Sequence, residues 1–303
     1  MKKWSGFILN PKCGITIFTP TFNRATTLPR LYESLVRQSC GEFEWLIVDD
    51  GSSDGTKKLV ESYIQENKIS INYIYKVNGG KHTAINVGLK NAAGEYFFCV
   101  DSDDFLEDNA ILDIVTFIKQ KNPVGIIAYK KETGHEDIIG APFPDSLVKS
   151  TLFNLINNYK CGGDRSLIYK TQLIRQFVIP EPKGVKFFPE TYLYDCFDNQ
   201  YECHLLPKSL CVCEYMEGGY SANFRMLMIN NAVSMKWFYG HRIDLKCTLV
   251  QRYISAFRYV AYSLLSRSKE GKYCGKHKTL VCLSYPMGVA MYIVYAIFRE
   301  KNK

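Results

Sequence analysis

No Cys-x-x-Cys pair occurs in the chain, although it carries eleven cysteines. Their scatter argues against a zinc site and a disulfide framework, and fits free thiols in a reducing cytoplasm. The nearest approach is Cys211-Val212-Cys213, which sets both thiols on one face of a strand. No secretory signal opens the chain: Met1-Lys2-Lys3-Trp4 is followed by a short apolar stretch at 7–9 before Asn10-Pro11. Neither a P-loop nor a Gly-x-Gly-x-x-Gly signature is present, which removes the usual nucleoside-triphosphate and dinucleotide readings. No internal repeat is visible. Acidic residues are scarce toward the end, where residues 224–303 set only Asp244, Glu270 and Glu300 against fourteen Lys and Arg. That excess outweighs a small net negative charge over the rest of the chain to give the net charge of +8, and it favours an anionic partner. A membrane surface is expected and nucleic acid is not, because no nucleic-acid-binding motif accompanies the charge.

What is present is ordinary for a globular protein. Apolar residues make up 47% and charged residues 22% of 303, enough for one long α/β domain with appendages or for two domains. Short apolar runs predict strands at 15–19 (ended by Pro20), 43–48, 71–76, 96–100 and 124–129. Between them lie helical stripes: Leu28, Leu31, Tyr32, Leu35 and Val36; Leu59, Val60, Tyr63 and Ile64; Ala84, Ile85, Gly88, Leu89 and Ala92; Ile111, Leu112, Ile114, Val115 and Ile118. This alternation predicts a mainly parallel sheet with helices on both faces. Ligands of such sheets bind beyond the carboxyl ends of the strands. Polar clusters fall at each of those ends, at 19–24, 49–56, 78–81 and 101–104.

The densest is Val100-Asp101-Ser102-Asp103-Asp104. In an extended chain Asp101 and Asp103 point the same way, and two carboxylates about 4 Å apart repel by roughly 4 kcal/mol at an effective dielectric near 20. One reading is a divalent-metal site, Mg²⁺ or Mn²⁺ on oxygen ligands shared with a diphosphate. The other is a solvated turn that caps the next helix through Asp108.

Several stretches, in order and spacing, together resemble the donor-binding half of a family 2 glycosyltransferase with the GT-A fold. They are Ile17-Phe18-Thr19-Pro20-Thr21-Phe22-Asn23-Arg24; Trp45-Leu46-Ile47-Val48-Asp49-Asp50-Gly51-Ser52-Ser53-Asp54-Gly55-Thr56; Asn78-Gly79-Gly80-Lys81; Ala84-Ile85-Asn86-Val87-Gly88; Ala93-Gly94-Glu95-Tyr96; and the Asp101–Asp104 cluster. The resemblance covers residues 14–108 and is of the kind that builds bacterial cell-surface polysaccharides. It implies that Thr19 and Asp50 contact the nucleotide base, Asp50 accepting from a uracil-type imide, so that a UDP-sugar is the default donor. Asp101 would lie near the ribose and Asp103 on the metal, with Asp104 a second ligand or an orienting group. Lys81 and Arg24 would neutralise the diphosphate, with Pro20, Asn23 and Ser102 lining the same donor site. The cofactor implied is Mn²⁺ or Mg²⁺.

The resemblance further implies that an Asp or Glu at a helix start acts as general base. Phe187-Phe188-Pro189-Glu190 offers Glu190, whose aromatic surroundings are expected to raise its pKa; Asp164 and Asp195 are the other candidates, and first-turn placement against the helix dipole is the competing explanation of Glu190. His82 and His204 read as structural or surface residues. Strands at 201–206 and 209–216 are expected around Pro207, and Gly219-Tyr220-Ser221 as a lid over the phosphates. Residues 1–222 would form the catalytic domain, with 109–222 its acceptor half, and 223–303 a basic helical extension. Within that extension 280–298 is nearly long enough to span a bilayer. Pro286, Gly288 and the aromatics favour a surface-lying segment, with a helix docked on the catalytic domain as a further alternative. The expectation is a metal-dependent, inverting hexosyl- or N-acetylhexosaminyltransferase acting on a glycan or lipid-linked acceptor, cytoplasmic and peripheral to the inner membrane face. A sugar nucleotidyltransferase and a non-catalytic sugar-nucleotide-binding protein are the alternatives.

Overall fold

The computed structural model describes residues 2–5, 14–214 and 224–302. The strands are β1 (Lys2–Ser5), β2 (Ile15–Thr21), β3 (Phe43–Asp49), β4 (Ile71–Tyr75), β5 (Tyr96–Cys99), β6 (Phe105–Leu106), β7 (Gly125–Glu132), β8 (Lys149–Ser150), β9 (Arg165–Lys170) and β10 (Cys203–Cys213). The helices are α1 (Leu28–Val36), α2 (Thr56–Glu66), α3 (Lys81–Asn91), α4 (Ala110–Lys121), α5 (Leu152–Asn157), α6 (Thr171–Ile174), α7 (Thr191–Asp198), α8 (Phe224–Asn230), α9 (Ala232–Arg242), α10 (Leu249–Ser266), α11 (Lys278–Leu283) and α12 (Tyr285–Lys301).

Two compact units result: Met1–Val178 with Gln200–Tyr215, and Ile179–Asn199 with Met216–Lys303. The second therefore includes α7 and Glu190, which the sequence groups with the catalytic domain.

In the first unit one sheet runs β1-β4-β3-β2-β5-β9-β7-β10-β6, with β8 paired to β10. Strands β2 to β5 are mutually parallel, as are β7 and β10, while β9 inserts antiparallel between β5 and β7. Apolar runs without alternation suit strands covered on both faces. On one face Ile15, Ile17, Trp45, Ile47 and Tyr73 meet the stripes of α1, α2 and α4. On the other, α3 packs so tightly that a Cβ at Gly88 would lie 2.3 Å from the Phe18 ring.

Two prolines sit inside strands that the sequence reading ends or splits at them. β2 continues through Pro20 to Thr21. The Phe18 carbonyl accepts from Val100 N–H on the β5 side, and Thr21 accepts from Asp50 on the β3 side. Pro20, two residues after Phe18, thus turns its missing N–H toward β5, whose ladder has already ended. β10 is likewise a single strand, and its register shifts at Leu206/Ser209 absorb Pro207. The expected lid, Gly219-Tyr220-Ser221, lies outside the described residues.

Candidate active site

The loops after β2 and β3 are stapled together. Asn23, in the left-handed region at φ 53°, accepts through Oδ1 from Ser53 N–H at 2.8 Å, and its own N–H donates to Ser52 Oγ. Arg24 N–H donates to Thr56 Oγ1 and Ala25 N–H to Asp54. Asn23 is therefore a strut of the loop. Thr19 is fully buried and its hydroxyl accepts from the Trp45 indole at 3.0 Å, so its side chain meets the core rather than an open pocket.

Asp50 organises the next loop. Its Oδ1 accepts from Lys76 Nζ and from Gly79 N–H at 2.9 Å, and its Oδ2 from Gly80 N–H at 2.7 Å. Gly80 adopts φ 97°, a conformation that an L side chain strongly resists. These bonds occupy three of the roughly four lone-pair sites of the carboxylate.

The acidic turn sorts its carboxylates by depth. Asp104 N–H closes the turn onto Asp101 O at 3.1 Å. Asp101 and Asp103 remain half-exposed, while Ser102 and Asp104 are buried. Each carboxylate faces a cation. Lys81, the first residue of α3, reaches Asp101 at 2.8 Å, and Arg24 faces Asp103 at 3.7 Å. A lysine at the positive end of a helix dipole is unfavourable by itself, so its partner stabilises it there. Burial pushes the Asp101 carboxyl up, but the charges of Lys81 and Lys130 outweigh this and hold it below the usual carboxylate range.

Asp104 turns inward. Its Oδ2 accepts from the largely covered Lys130 Nζ at 2.8 Å and lies 3.3 Å from Cys213 Sγ and 3.7 Å from Cys211 Sγ. Burial raises the Asp104 carboxyl above its ordinary value, with Lys130 opposing. The Asp104, Cys211 and Cys213 ligand atoms fall within 4.8 Å of one another, as a metal would require, but the Lys130 ammonium already supplies the positive charge there. Of the two roles offered for Asp104 from sequence, orienting group suits this geometry and metal ligand does not. Asp101 and Asp103, open oxygen donors at a strand end, do fit a hard divalent cation.

Sequence reasoning missed three cations. Lys130 continues a strand where it could not be told from Lys131 beside it, which pairs instead with Glu107 and Glu136. Lys76 follows β4 and grips Asp50. Arg30, on the polar side of α1, donates to Asp103 O, pairs with Glu214 and stacks over Phe105 at 4.8 Å. It holds the backbone of the turn while Arg24 faces the side chain.

In the second unit Glu190 is half-buried at the N-terminus of α7, and its carbonyl accepts from Leu193 N–H at 2.9 Å. Asp195, the other candidate on this helix, is buried in a two-pronged pair with Arg242, at 2.6 and 3.1 Å. That pairing commits it to tying α7 to α9 and removes it as a base. Asp164, in the first unit, is exposed.

A family model described as glycosyl transferase family 2 matches residues 16–178, just over half of the chain. The chain belongs to glycosyl transferase family 2. This family 2 chain is 28% identical over 173 residues to the poly(ribitol-phosphate) beta-N-acetylglucosaminyltransferase TarS of Staphylococcus aureus, covering 56% of the chain and 30% of TarS. It is 30% identical over 110 residues to the glycosyltransferase GlyG of Streptococcus pneumoniae, covering 36% of each. The chain thus spans about a third of the length of these relatives. Among solved structures, S. aureus TarS 1–349 superposes with a TM-score of 0.61 at 20% identity, covering 96% of the chain and 92% of that structure. The Pyrobaculum calidifontis mannosyltransferase PcManGT, solved with GDP-Man and Mn²⁺, gives 0.54 at 15% identity, covering 94% and 83%. These likenesses establish the GT-A fold. TarS 1–349 has also been solved with UDP and with UDP-GlcNAc.

Proposed function

We propose that this chain transfers a sugar from a nucleoside-diphosphate donor, a UDP-sugar by default, to a hydroxyl of a glycan or lipid-linked acceptor, with inversion at the anomeric carbon. The observation that carries the reading is the pairing of half-exposed Asp101 and Asp103 with Lys81 and Arg24 at the strand ends of a family 2 domain. Carboxylates and cations alternate there, as a metal-bound diphosphate requires. Asp103 and Asp101 would hold Mn²⁺ or Mg²⁺, which when bound offsets the negative charge gained by the departing diphosphate. Lys81 and Arg24 contribute to the same end by turning from their carboxylate partners to phosphate oxygens. The free lone-pair site of Asp50 would accept from the imide of uracil. Glu190 is the base that takes the acceptor proton. An N-acetylglucosaminyl donor is the first to try, since TarS carries that name. The basic C-terminal region supports an acceptor held at a membrane surface.

Thermal-shift measurements with UDP-, GDP- and dTDP-sugars, with and without Mn²⁺, test the donor assignment through stabilisation by mass action. A rise only with a UDP-sugar plus metal is expected, and no rise with any donor would remove the reading. Glu190→Gln should keep donor binding and lose transfer. Unaltered turnover in that variant would exclude Glu190 as the base. A nucleotidyltransferase would need a Gly-rich basic loop after β2, and residues 19–24 hold none.

A further inference from the structure

Helix α12 carries apolar side chains on two opposite faces. Toward α10, Gly288 lets the helices approach so closely that a Cβ there would lie 2.5 Å from the Val260 side chain, and Tyr295 packs on Tyr262 with ring centroids 5.2 Å apart. On the opposite side Leu283 (at the end of α11), Met287, Ala290, Ile293, Val294 and Ile297 all stand in solvent. Leu283 is 68% exposed, Met287 49%, Ile293 50%, Val294 56% and Ile297 52%. At 3.6 residues per turn their directions fall within an arc of about 120° on the side opposite Gly288. A continuous exposed apolar stripe marks a docking surface.

The charges around it select the partner. Lys276 and Lys278 stand exposed where the stripe begins, and Arg299 and Lys301 where it ends; Lys301 continues it four residues past Ile297. Glu300 is the one acidic residue of α12. A second copy of the chain would set cations against cations in either orientation, parallel or antiparallel. No helix among the described residues is long and apolar enough to cross a membrane. We propose that the α11–α12 stripe lies on an anionic lipid bilayer, its apolar side chains among the acyl chains of the interface and its terminal cations against lipid phosphates. This deepens the membrane-surface placement proposed above by naming the face and the lipid charge.

The full chain is tested by co-sedimentation with phosphatidylcholine vesicles, with and without phosphatidylglycerol. Binding to the mixed vesicles alone is expected, weakening as salt rises. Ile293→Asp combined with Val294→Asp should lower it about tenfold or more. Arg299→Glu with Lys301→Glu should do the same by charge, so the two variants check each other's folding. Transfer to a water-soluble acceptor should be unchanged in both. Binding by both variants as strong as that of the unaltered chain would overturn the assigned face while leaving the membrane placement standing. If the unaltered chain binds neither vesicle, the proposal and that placement fall together, and the soluble assay still reports on sugar transfer. A dimer in light scattering that the Asp variant dissociates would assign the stripe to a second copy and overturn the proposal.

Discussion

Neighbouring residues of the acidic turn separate function from stability. Asp103 is half-exposed and its contact with Arg24 is long, at 3.7 Å, a kind of pair worth well under about 1 kcal/mol. Asp103→Asn should therefore leave the melting temperature of the ligand-free protein nearly unchanged while lowering kcat at least about a hundredfold, the scale of losing one electrostatic stabiliser. Retained activity in a steady-state assay would exclude Asp103 from the donor site. Lys130 should behave in the opposite way. Its side chain is only 12% exposed and its ammonium lies against buried Asp104, and Lys130→Met leaves that carboxylate without its cation, at a cost of about 3–5 kcal/mol. Urea unfolding measures this. Lys130→Met with Asp104→Leu should recover much of the loss, because no charge is then left buried alone; a double variant no better than the single one would show that packing, not charge, decides the site. Sequence could not separate these roles, since Asp103 and Asp104 are adjacent and Lys130 and Cys213 reach Asp104 only through the sheet.

At the scale of elements, what was legible was whatever a continuous stretch writes down. The β-α alternation of 15–129 was readable because each strand is a mainly apolar run and each helix a clean stripe. The antiparallel insertion of β9 was not, because pairing partners 36 to 74 residues apart leave no local mark. Prolines misled in β2 and β10, since their tolerance depends on which neighbour a missing N–H would face. Gly88 is a readable exception: a glycine inside a helical stripe costs about 1 kcal/mol against alanine, so its presence signals close packing. Here the neighbour is Phe18, itself stacked on Phe97 at 5.1 Å. Gly88→Ala gains helix propensity but forces α3 off the sheet, for a net loss of about 1–2 kcal/mol. Phe18→Leu in the same chain should return part of that loss in thermal melts. A Gly88→Ala protein as stable as the original would mean that the Phe18 ring can step aside.

Across the whole molecule the buried phenols and thiols set a common response to alkali. Burial pushes the hydroxyls of Tyr32, Tyr63 and Tyr96 up to about 12 in the first unit, and burial with the Asp49 carboxylate raises Tyr73 further. In the second unit Tyr192 and Tyr273 are likewise raised to about 12, Tyr262 further, and burial carries the Cys196 thiol to about 12. For each of these groups the folded state favours the protonated form. Its contribution is full below the unfolded value, near 9 for a thiol and 10 for a phenol, and is lost as pH rises toward the folded value. Lys130, held charged by its anionic neighbours against the opposing effect of burial, acts in the same sense; Lys236, lowered by burial, acts against it. Each raised group removes about 1.4 kcal/mol per pH unit once its unfolded form ionises. With several in each unit, stability from urea unfolding should hold level up to about pH 9 and fall ever more steeply beyond 10. Tyr73→Phe should make the decline shallower by one group while also giving up the hydroxyl's 2.6 Å hydrogen bond to Asp49. A slope above pH 10 that Tyr73→Phe leaves unchanged would show that this phenol ionises in the folded state as readily as in the unfolded one, against the effect expected of its burial on β4 and its bond to the Asp49 carboxylate.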